Sequence, residues 1–265
     1  MLLLLKAFVL GLVEGITEFL PISSTGHLII ASVFIDYPEA RRAMFDIFIQ
    51  LGAIMAVVWH YRVRLTDLAR RTPSDGAARG LVFKVLLAFL PAAAAGFLFH
   101  HFIEDHLFNI PNVAAALIVG GVILLLVERR TRQPAVHALE DTRWSDAAWI
   151  GLAQVASLFP GVSRAGATIV GGLLVGLNRP AATEFSFYLA IPTLTAASLY
   201  SLLKSLDQLS TDDIAPLAVG LATAFVSALV VIRSFIAYVQ SHDFRAFGYY
   251  RIVLGFALLG LAVLA

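Results

Sequence analysis

The sequence predicts an all-α integral membrane protein with six transmembrane helices and two re-entrant helical hairpins, arranged as an inverted-topology repeat. Three observations predict this fold class: the composition, six apolar stretches, and two further apolar stretches that a polar turn interrupts. Of the 265 residues, 59% are hydrophobic and 14% are charged, and the mean hydropathy of +0.84 lies outside the range of soluble globular domains. The chain has no cysteine, which excludes a thiol nucleophile and a thiolate metal site, and its net charge of +1 gives no indication of a nucleic-acid partner.

Six apolar stretches are long enough, or nearly so, to cross a hydrocarbon core, which takes about 20 residues. They are residues 45–59, 81–99, 113–127, 184–203, 216–232 and 249–265. Asp46 and Glu184 stand near span ends, where we expect them at the membrane interface.

The loops between these spans carry unequal charge. Residues 60–84 hold five arginines and one lysine against two aspartates, whereas residues 100–112 and 204–213 are acidic. Another arginine-rich loop follows residue 127, with Arg129, Arg130, Arg132 and Arg143. The positive-inside rule therefore predicts that the two arginine-rich loops are cytoplasmic and that both termini lie outside.

The two interrupted stretches, residues 2–35 and 149–177, predict the re-entrant hairpins. The first contains "LPISSTGH" and the second contains "FPGVSRAG" near its middle. Irregular backbone at membrane depth is tolerated only where it is buried in protein or lines a wet cavity. We therefore expect each polar turn to be the tip of a helical hairpin inside the protein.

An internal repeat relates the two hairpins at a constant offset of 140 positions. At this offset Glu14 falls on Gln154, and the following residues have identical counterparts: Gly11, Leu12, Phe19, Ser23, Gly26, Ile29, Phe45 and Ala56. The chain is thus predicted to be one polytopic membrane domain, residues 1–265, with repeat units of about 1–130 and 145–265. Three spans in each unit is an odd number, so the second unit has the opposite orientation in the membrane, and inverted repeats place broken helices face to face.

Glu14 and Glu18 are four residues apart and share one face of a helix. Two carboxylates this close in a medium of low dielectric constant need a cation, a proton or an arginine to compensate them. One interpretation is that one carboxylate caps a helix and the other reaches the interface. The other is a pair that binds a divalent cation or acts as a base with its partner.

A run of hydroxyl side chains follows the first polar turn. Ser23, Ser24 and Thr25 stand there, followed by Gly26 and His27. An ordinary N-cap explains one hydroxyl, but three hydroxyls and a glycine at a helix N-terminus are typical of an anion site, and phosphate is the usual anion. For the histidine, a functional role and a capping role are equally compatible with the sequence.

The second polar turn supplies positive charge. Ser163 and Arg164 precede Gly166 and Thr168 where the second half of the hairpin begins. An arginine at this depth is costly, and its guanidinium matches phosphate bidentately. If the repeat is inverted, the two turns meet and Arg164 faces the polar groups of the first turn across one phosphate group. Gln50 fits either the same cavity or a hydrogen bond between helices.

At these residues the sequence resembles the undecaprenyl-diphosphate phosphatase family, the bacitracin-resistance membrane proteins of bacterial cell-wall synthesis. Four motifs carry the resemblance over nearly the whole chain: "EGITEFLPISSTGH" (14–27), "FDIFIQLGAIMAV" (45–57), "PGVSRAGATI" (160–169) and "EFSFYLAIP" (184–192). The resemblance implies hydrolysis of the C55 isoprenoid diphosphate to its monophosphate and inorganic phosphate, which recycles the lipid carrier. It also implies a divalent cation such as Mg²⁺ or Ca²⁺, often a homodimer, and a location in the bacterial inner membrane with the active site open to the outer side.

The family's motifs, together with the reasoning above, give a set of predicted site residues. The predicted catalytic residues are Glu18, Ser24, His27 and Arg164, and the predicted metal ligands are Glu14 and Glu18. The predicted substrate-binding residues are Ser23, Thr25, Gly26, Gln50, Ser163, Gly166 and Thr168. A serine nucleophile and an activated water both fit this set. Many family members carry a serine where this chain has Ala165, so a hydroxyl is not needed there.

Two other functions compete with this one. The "STGH" and "SR" segments resemble motifs of type-2 phosphatidic-acid phosphatases, but the order of the motifs differs and position 170 is valine instead of histidine. A transporter or lipid flippase would also use inverted repeats with broken helices. It would bind the same anionic headgroup without breaking a bond.

Overall fold

The protein is helical throughout the residues that its computed structural model describes, which are 1–129, 134–205 and 210–264. Arg130, Arg132, Asp207 and Ala265, which contributed to the predictions above, lie outside these residues. The α-helices are α1 (Leu2–Thr17), α2 (Ser24–Ile35), α3 (Glu39–His60), α4 (Arg62–Arg71), α5 (Gly76–Leu107), α6 (Ile110–Arg129), α7 (Trp144–Val155), α8 (Arg164–Leu174), α9 (Arg179–Ser205), α10 (Ile214–Val239) and α11 (Arg245–Leu264).

Several of these helices are long and apolar enough to cross a membrane. Four qualify by length and composition: Gly76–Ile103, Ile110–Arg129, Arg179–Lys204 and Thr211–Val239. A fifth qualifies if Met44–His60 and Arg62–Arg71, which meet at an angle of 68°, are counted as one broken span. Large apolar side chains such as Phe97 and Leu98 are about three-quarters exposed, as expected for a surface in contact with lipid. The all-α, multi-pass membrane class predicted from the sequence is confirmed.

Two loop predictions are wrong. Residues 60–84 were predicted as one loop, but they form α4 and the start of α5. The start of α5 is fixed because the Asp75 carboxylate accepts hydrogen bonds from the backbone N–H groups of Ala77 and Ala78. Residues 100–112 are also mostly helical, because α5 continues to Leu107 and α6 begins at Ile110. The charge pattern therefore identified both segments correctly as polar, but they are helical and do not form loops.

Both interrupted stretches form two helices separated by a short break. The first break is residues 18–23, between α1 and α2. The second is residues 156–163, between α7 and α8, and includes one short 3₁₀ turn. We call these the first break and the second break.

The two breaks have the same local geometry. Ser23 and Ser163 precede α2 and α8, and both have positive φ, 71° and 72°. A serine with positive φ is uncommon and costs free energy, so its occurrence at two positions 140 residues apart is not a chance feature of one loop. The helices that follow also start in register, α2 and α8 at residues 24 and 164 and α3 and α9 at residues 39 and 179.

Close helix packing holds the first break in place. α1 packs along α10, and a Cβ atom at Gly15 would lie 2.0 Å from the Ser227 Oγ and 2.4 Å from the Ala224 carbonyl oxygen. Only glycine permits this approach, as is usual where membrane helices meet closely. α5 packs on α7 in the corresponding way, and α6 lies along α11. The end of α1, which carries Glu14 and is followed by Glu18, is thereby fixed against the interior.

An ion-pair network lies at the end of the molecule that contains the arginines of residues 60–84, which we call the arginine-rich end. Arg64 on α4 pairs with Glu184 on α9, and its second nitrogen lies 2.6 Å from Glu140 in the segment before α7. Glu184 was predicted at a span end and lies there. The network connects α4 to elements of the second half of the chain.

Candidate active site

The first break brings a carboxylate and a hydroxyl together. Glu18 follows the last residue of α1, and Ser24 is the first residue of α2. Turn residues connect them, and the Ser24 Oγ donates a hydrogen bond of 2.6 Å to the Glu18 Oε2. An O–H···O⁻ bond this short is typical of a charge-assisted interaction. The serine hydroxyl is therefore held by a group that can accept its proton.

The second break contributes a guanidinium to the same carboxylate. Arg164 begins α8, and its Nη2 lies 3.2 Å from the Glu18 Oε1. The two side chains are only 6% and 7% exposed. Because each charge would be costly alone at this depth, the pair fixes the two breaks against one another.

Ser186 and Thr168 orient Arg164 through the guanidinium nitrogen that does not contact Glu18. Its Nη1 donates to the backbone oxygen of Ser186 at 3.0 Å and contacts the Ser186 Oγ at 3.1 Å. The Thr168 Oγ1 lies 2.7 Å from that Oγ and also donates to the Arg164 carbonyl oxygen. Thr168, predicted to bind substrate, is buried and contacts the partner of Arg164. It orients the arginine from within the protein and does not line the cavity described next.

A cavity of about 760 Å³ opens beside Ser24. Its wall includes four residues predicted from the sequence, Glu14, Ser24, Thr25 and Gln50. The Gln50 Oε1 also accepts a hydrogen bond from Ser198 on α9, so both roles considered for this glutamine apply. The connection between α5 and α6 contributes Phe108 and Asn109 to the cavity wall. Its volume is in the range of small-molecule sites, and the serine hydroxyl stands on its wall with Glu18 and Arg164 behind it.

Glu14 is the unpaired carboxylate of this site. Its side chain lines the cavity, is 2% exposed, and forms no hydrogen bond or ion pair with the described part of the chain. Glu18, by contrast, has one oxygen on Ser24 and the other on Arg164. Within the described ranges no group of three or more His, Asp or Glu side chains is arranged to hold a metal by itself. Of the two predicted metal ligands, Glu14 is the one with free oxygen atoms.

His27 is held away from the cavity. Its Nδ1 donates to the Ser23 carbonyl oxygen at 2.7 Å, and its Nε2 lies 2.6 Å from the Tyr250 hydroxyl. The histidine and tyrosine rings also stack, with centroids 5.5 Å apart. Both ring nitrogens are thus engaged with the protein, and His27 connects α2 to α11.

Other predicted residues also have structural contacts. The Ser163 Oγ accepts a hydrogen bond from the Gly166 N–H and caps α8, whereas Ser23 makes no side-chain cap to α2. Gly26 lies against the Leu117 side chain. These three residues and Gly166 shape the breaks and are not on the cavity wall.

The sequence profile of the family described as "Bacitracin resistance protein BacA" matches residues 7–257. The chain belongs to this family. The match includes both breaks and every residue named in the site.

Curated relatives resemble the chain over nearly its whole length. An "Undecaprenyl-diphosphatase 2" from Rhodospirillum rubrum is 53% identical over 263 residues, which cover 99% of this chain and 96% of that protein. An "Undecaprenyl-diphosphatase" from Methylobacillus flagellatus is 51% identical and covers 97% of each chain. The protein of that name from Dechloromonas aromatica is 49% identical over 97% of this chain and 94% of its own length.

Within this BacA family chain, sequence reasoning missed two residues near the site. Asp46 was assigned to the interface, but it lines the cavity with Gln50, four residues further along the same helix face. Ser186 was not singled out, although it orients Arg164. A signal was present for both, because Asp46 and Ser186 are 140 positions apart and correspond in the repeat.

Proposed function

We propose that this protein hydrolyses undecaprenyl diphosphate to undecaprenyl phosphate and inorganic phosphate. Such an activity recycles the lipid carrier of cell-wall synthesis and confers bacitracin resistance. The observation that carries the proposal is the chain of contacts from Arg164 through Glu18 to Ser24, which ends on the wall of a cavity. The family membership and the names of the relatives agree with it.

The Ser24 hydroxyl is the proposed nucleophile. Its oxygen forms a bond to the terminal phosphorus while its proton passes to Glu18, which already accepts its hydrogen bond. The bond between that phosphorus and the bridging oxygen breaks, and undecaprenyl phosphate leaves. Water then attacks the seryl phosphorus, the bond from phosphorus to the Ser24 oxygen breaks, and that oxygen regains its proton from Glu18 as inorganic phosphate is released.

Arg164 provides fixed positive charge beside this reaction. Phosphoryl transfer depends mostly on positioning and on stabilising the charge of the transferring group. Ser186 holds the guanidinium from one side and Glu18 from the other, so the charge needs no reorganisation during the reaction.

Glu14 is the proposed protein ligand of a divalent cation. Mg²⁺ is usually bound by one or two carboxylates together with the phosphates of the substrate, and Glu14 offers an unpaired carboxylate on the cavity wall. When bound, the cation neutralises part of the charge of the diphosphate. Asp46 and Gln50 also line this cavity, but the Asp46 Oδ2 lies 3.7 Å from the Arg42 Nε and the Gln50 Oε1 accepts a hydrogen bond from Ser198.

We also propose six spans and two re-entrant hairpins in an inverted repeat within the bacterial inner membrane. The nearly equal φ angles of Ser23 and Ser163 and the common register of the helices support the repeat. The cavity is lined in part by residues 108–110, in the segment 100–112 that carries no arginine or lysine, whereas Arg64 lies in the arginine-rich end. By the positive-inside rule the cavity then opens to the outer side.

Release of inorganic phosphate from undecaprenyl diphosphate by the purified protein in detergent tests this function. We expect release that requires a divalent cation, stops with EDTA, and is lost in Arg164→Ala but retained in Arg245→Ala, an exposed arginine on α11. Absence of release by the wild-type protein, with substrate binding intact, would contradict the enzyme and favour a lipid carrier.

A further inference from the structure

The most deeply buried cation of the described residues is Arg251, on α11. It is 1% exposed and is the largest fully buried side chain among the described residues. Its guanidinium donates to four backbone oxygens, those of Pro21 at 3.2 Å, Gly161 at 3.1 Å, Ala116 at 3.2 Å and Leu117 at 3.4 Å. In the described ranges it forms no salt bridge with a carboxylate, so carbonyl dipoles alone face its charge.

Two of these oxygens belong to the two breaks and occupy corresponding positions. Pro21 is three residues before Ser24, and Gly161 is three residues before Arg164. The two positions are also 140 residues apart, which is the offset of the repeat. One planar guanidinium therefore contacts the same point of both breaks, and its other two bonds fix it to α6.

The surrounding backbone leaves room for this guanidinium only because glycines stand beside it. A Cβ atom at Gly120 would lie 2.2 Å from the Arg251 Nη2, and one at Gly166 would lie 2.8 Å from the Nη1. Cβ atoms essentially never come this close to another heavy atom, so a side chain at either position would require the guanidinium to move. Gly166, predicted from the sequence to bind substrate, thus has a different reason to be glycine.

Arg251 does not line the cavity beside Ser24 and contacts none of the side chains proposed to react. Desolvating an isolated charge costs free energy, and apolar residues would fill the same volume without this cost. The arrangement is therefore explained by what its four bonds hold in place. They fix the backbone before Ser24 relative to the backbone before Arg164.

We propose that Arg251 is a positioning residue, which sets the distance between the two breaks so that Ser24 and Glu18 meet Arg164. Its fork of donors is rigid, whereas a lysine ammonium is a single point of contact on a flexible stem and cannot span both breaks and α6. This inference rests on the proposed function for its kinetic readout. Its structural readout is independent of that function.

The kinetic test compares Arg251→Lys with Arg245→Lys, the same substitution at an exposed position of the same helix. Misplacement of reacting groups by about 1 Å costs on the order of 100-fold in rate. We therefore expect Arg251→Lys to lose about that factor in kcat with little change in KM, and Arg245→Lys to match the wild type. Gly120→Ala, which retains Arg251 but displaces its guanidinium, provides a second variant and should lose kcat in the same way.

The structural test uses the absence of native cysteine. Spin labels at Phe34→Cys on α2 and Leu174→Cys on α8, both exposed positions, report the distance between the helices that follow the two breaks. We expect a narrow distance distribution in the labelled parent and a broader or shifted one when Arg251→Lys is added.

Wild-type kcat in either variant, or an unchanged distance distribution in Arg251→Lys, would overturn the positioning role. A higher KM with unchanged kcat would also overturn it, because that result assigns Arg251 to substrate binding. Failure of the wild-type protein to release phosphate would instead refute the proposed function, and the distance measurement would still decide the role of Arg251.

Discussion

The Ser24 hydroxyl and the Glu18 carboxylate are 2.6 Å apart, although a helix end, a break and a helix start separate them in the chain. The serine stands on the cavity wall and the glutamate lies behind it, held on its other oxygen by Arg164. A hydroxyl with a base on one side and a cavity on the other has the geometry of an activated nucleophile.

Ser24→Ala should abolish turnover and retain binding. Loss of a nucleophile that acts with its base costs on the order of 1000-fold or more in kcat. Phosphate release and equilibrium binding of the lipid diphosphate measure the two effects separately. Ser234→Ala, an exposed serine on α10 that bonds only to its own helix, is the matched control. Residual activity near the wild-type level in Ser24→Ala would favour an activated water.

Arg164→Met should destabilise the protein more than its size change explains. The substitution leaves the buried Glu18 carboxylate without its cation, which costs about 3–5 kcal/mol. Adding Glu18→Gln removes that charge and should recover part of the loss. Thermal unfolding in detergent measures both variants, and equal losses in the single and the double variant would argue against the ion pair.

Glu14→Gln and Glu18→Gln should differ in their cation dependence. If Glu14 holds the cation, its loss raises the Mg²⁺ concentration for half-maximal activity by about 10-fold or more. Glu18→Gln should lower kcat with little change in that concentration, because its oxygens are engaged by Ser24 and Arg164. Titration of Mg²⁺ after removal of metal by EDTA gives both values. The reverse pattern would assign the cation to Glu18.

His27→Asn should change stability more than chemistry. Both ring nitrogens are bonded within the protein, and one such bond contributes about 0.5–1.5 kcal/mol. We expect the pH profile of kcat to keep its shape in His27→Asn, and Tyr250→Phe to lower the unfolding temperature slightly. Loss of one limb of that profile in His27→Asn alone would identify the histidine as an acid or base.

The sequence predicted that Glu18, Ser24 and Arg164 lie close together, facing one another across a phosphate group, because polar groups at membrane depth require partners. The direct contacts of Glu18 with Ser24 and with Arg164 were not predicted. Exposing Glu18, Ser24 or Arg164 to lipid would cost free energy, and the repeat indicated that their two breaks meet. The structure brings the three together. The membrane class followed from composition in the same way.

Other contacts could not be predicted because the sequence carries no pattern for them. The partners of Arg251 are backbone oxygens, which every residue has. In the sequence, the arginine is therefore visible only as one polar residue in an apolar stretch. His27 and Tyr250 are 223 positions apart, and no periodicity relates them. α4 was missed because its many arginines indicated a loop, whereas a helix at the arginine-rich end exposes them equally well.

A double-mutant cycle between Ser24 and Arg164 tests most directly whether the two breaks form one active site. The measured quantity is kcat/KM for phosphate release from undecaprenyl diphosphate in wild type, Ser24→Ala, Arg164→Lys and the double variant. Residues that act as one unit have strongly non-additive effects, so the double variant should be about as slow as the slower single variant. Losses that multiply, as expected for independent positions, would contradict a site built jointly from both breaks.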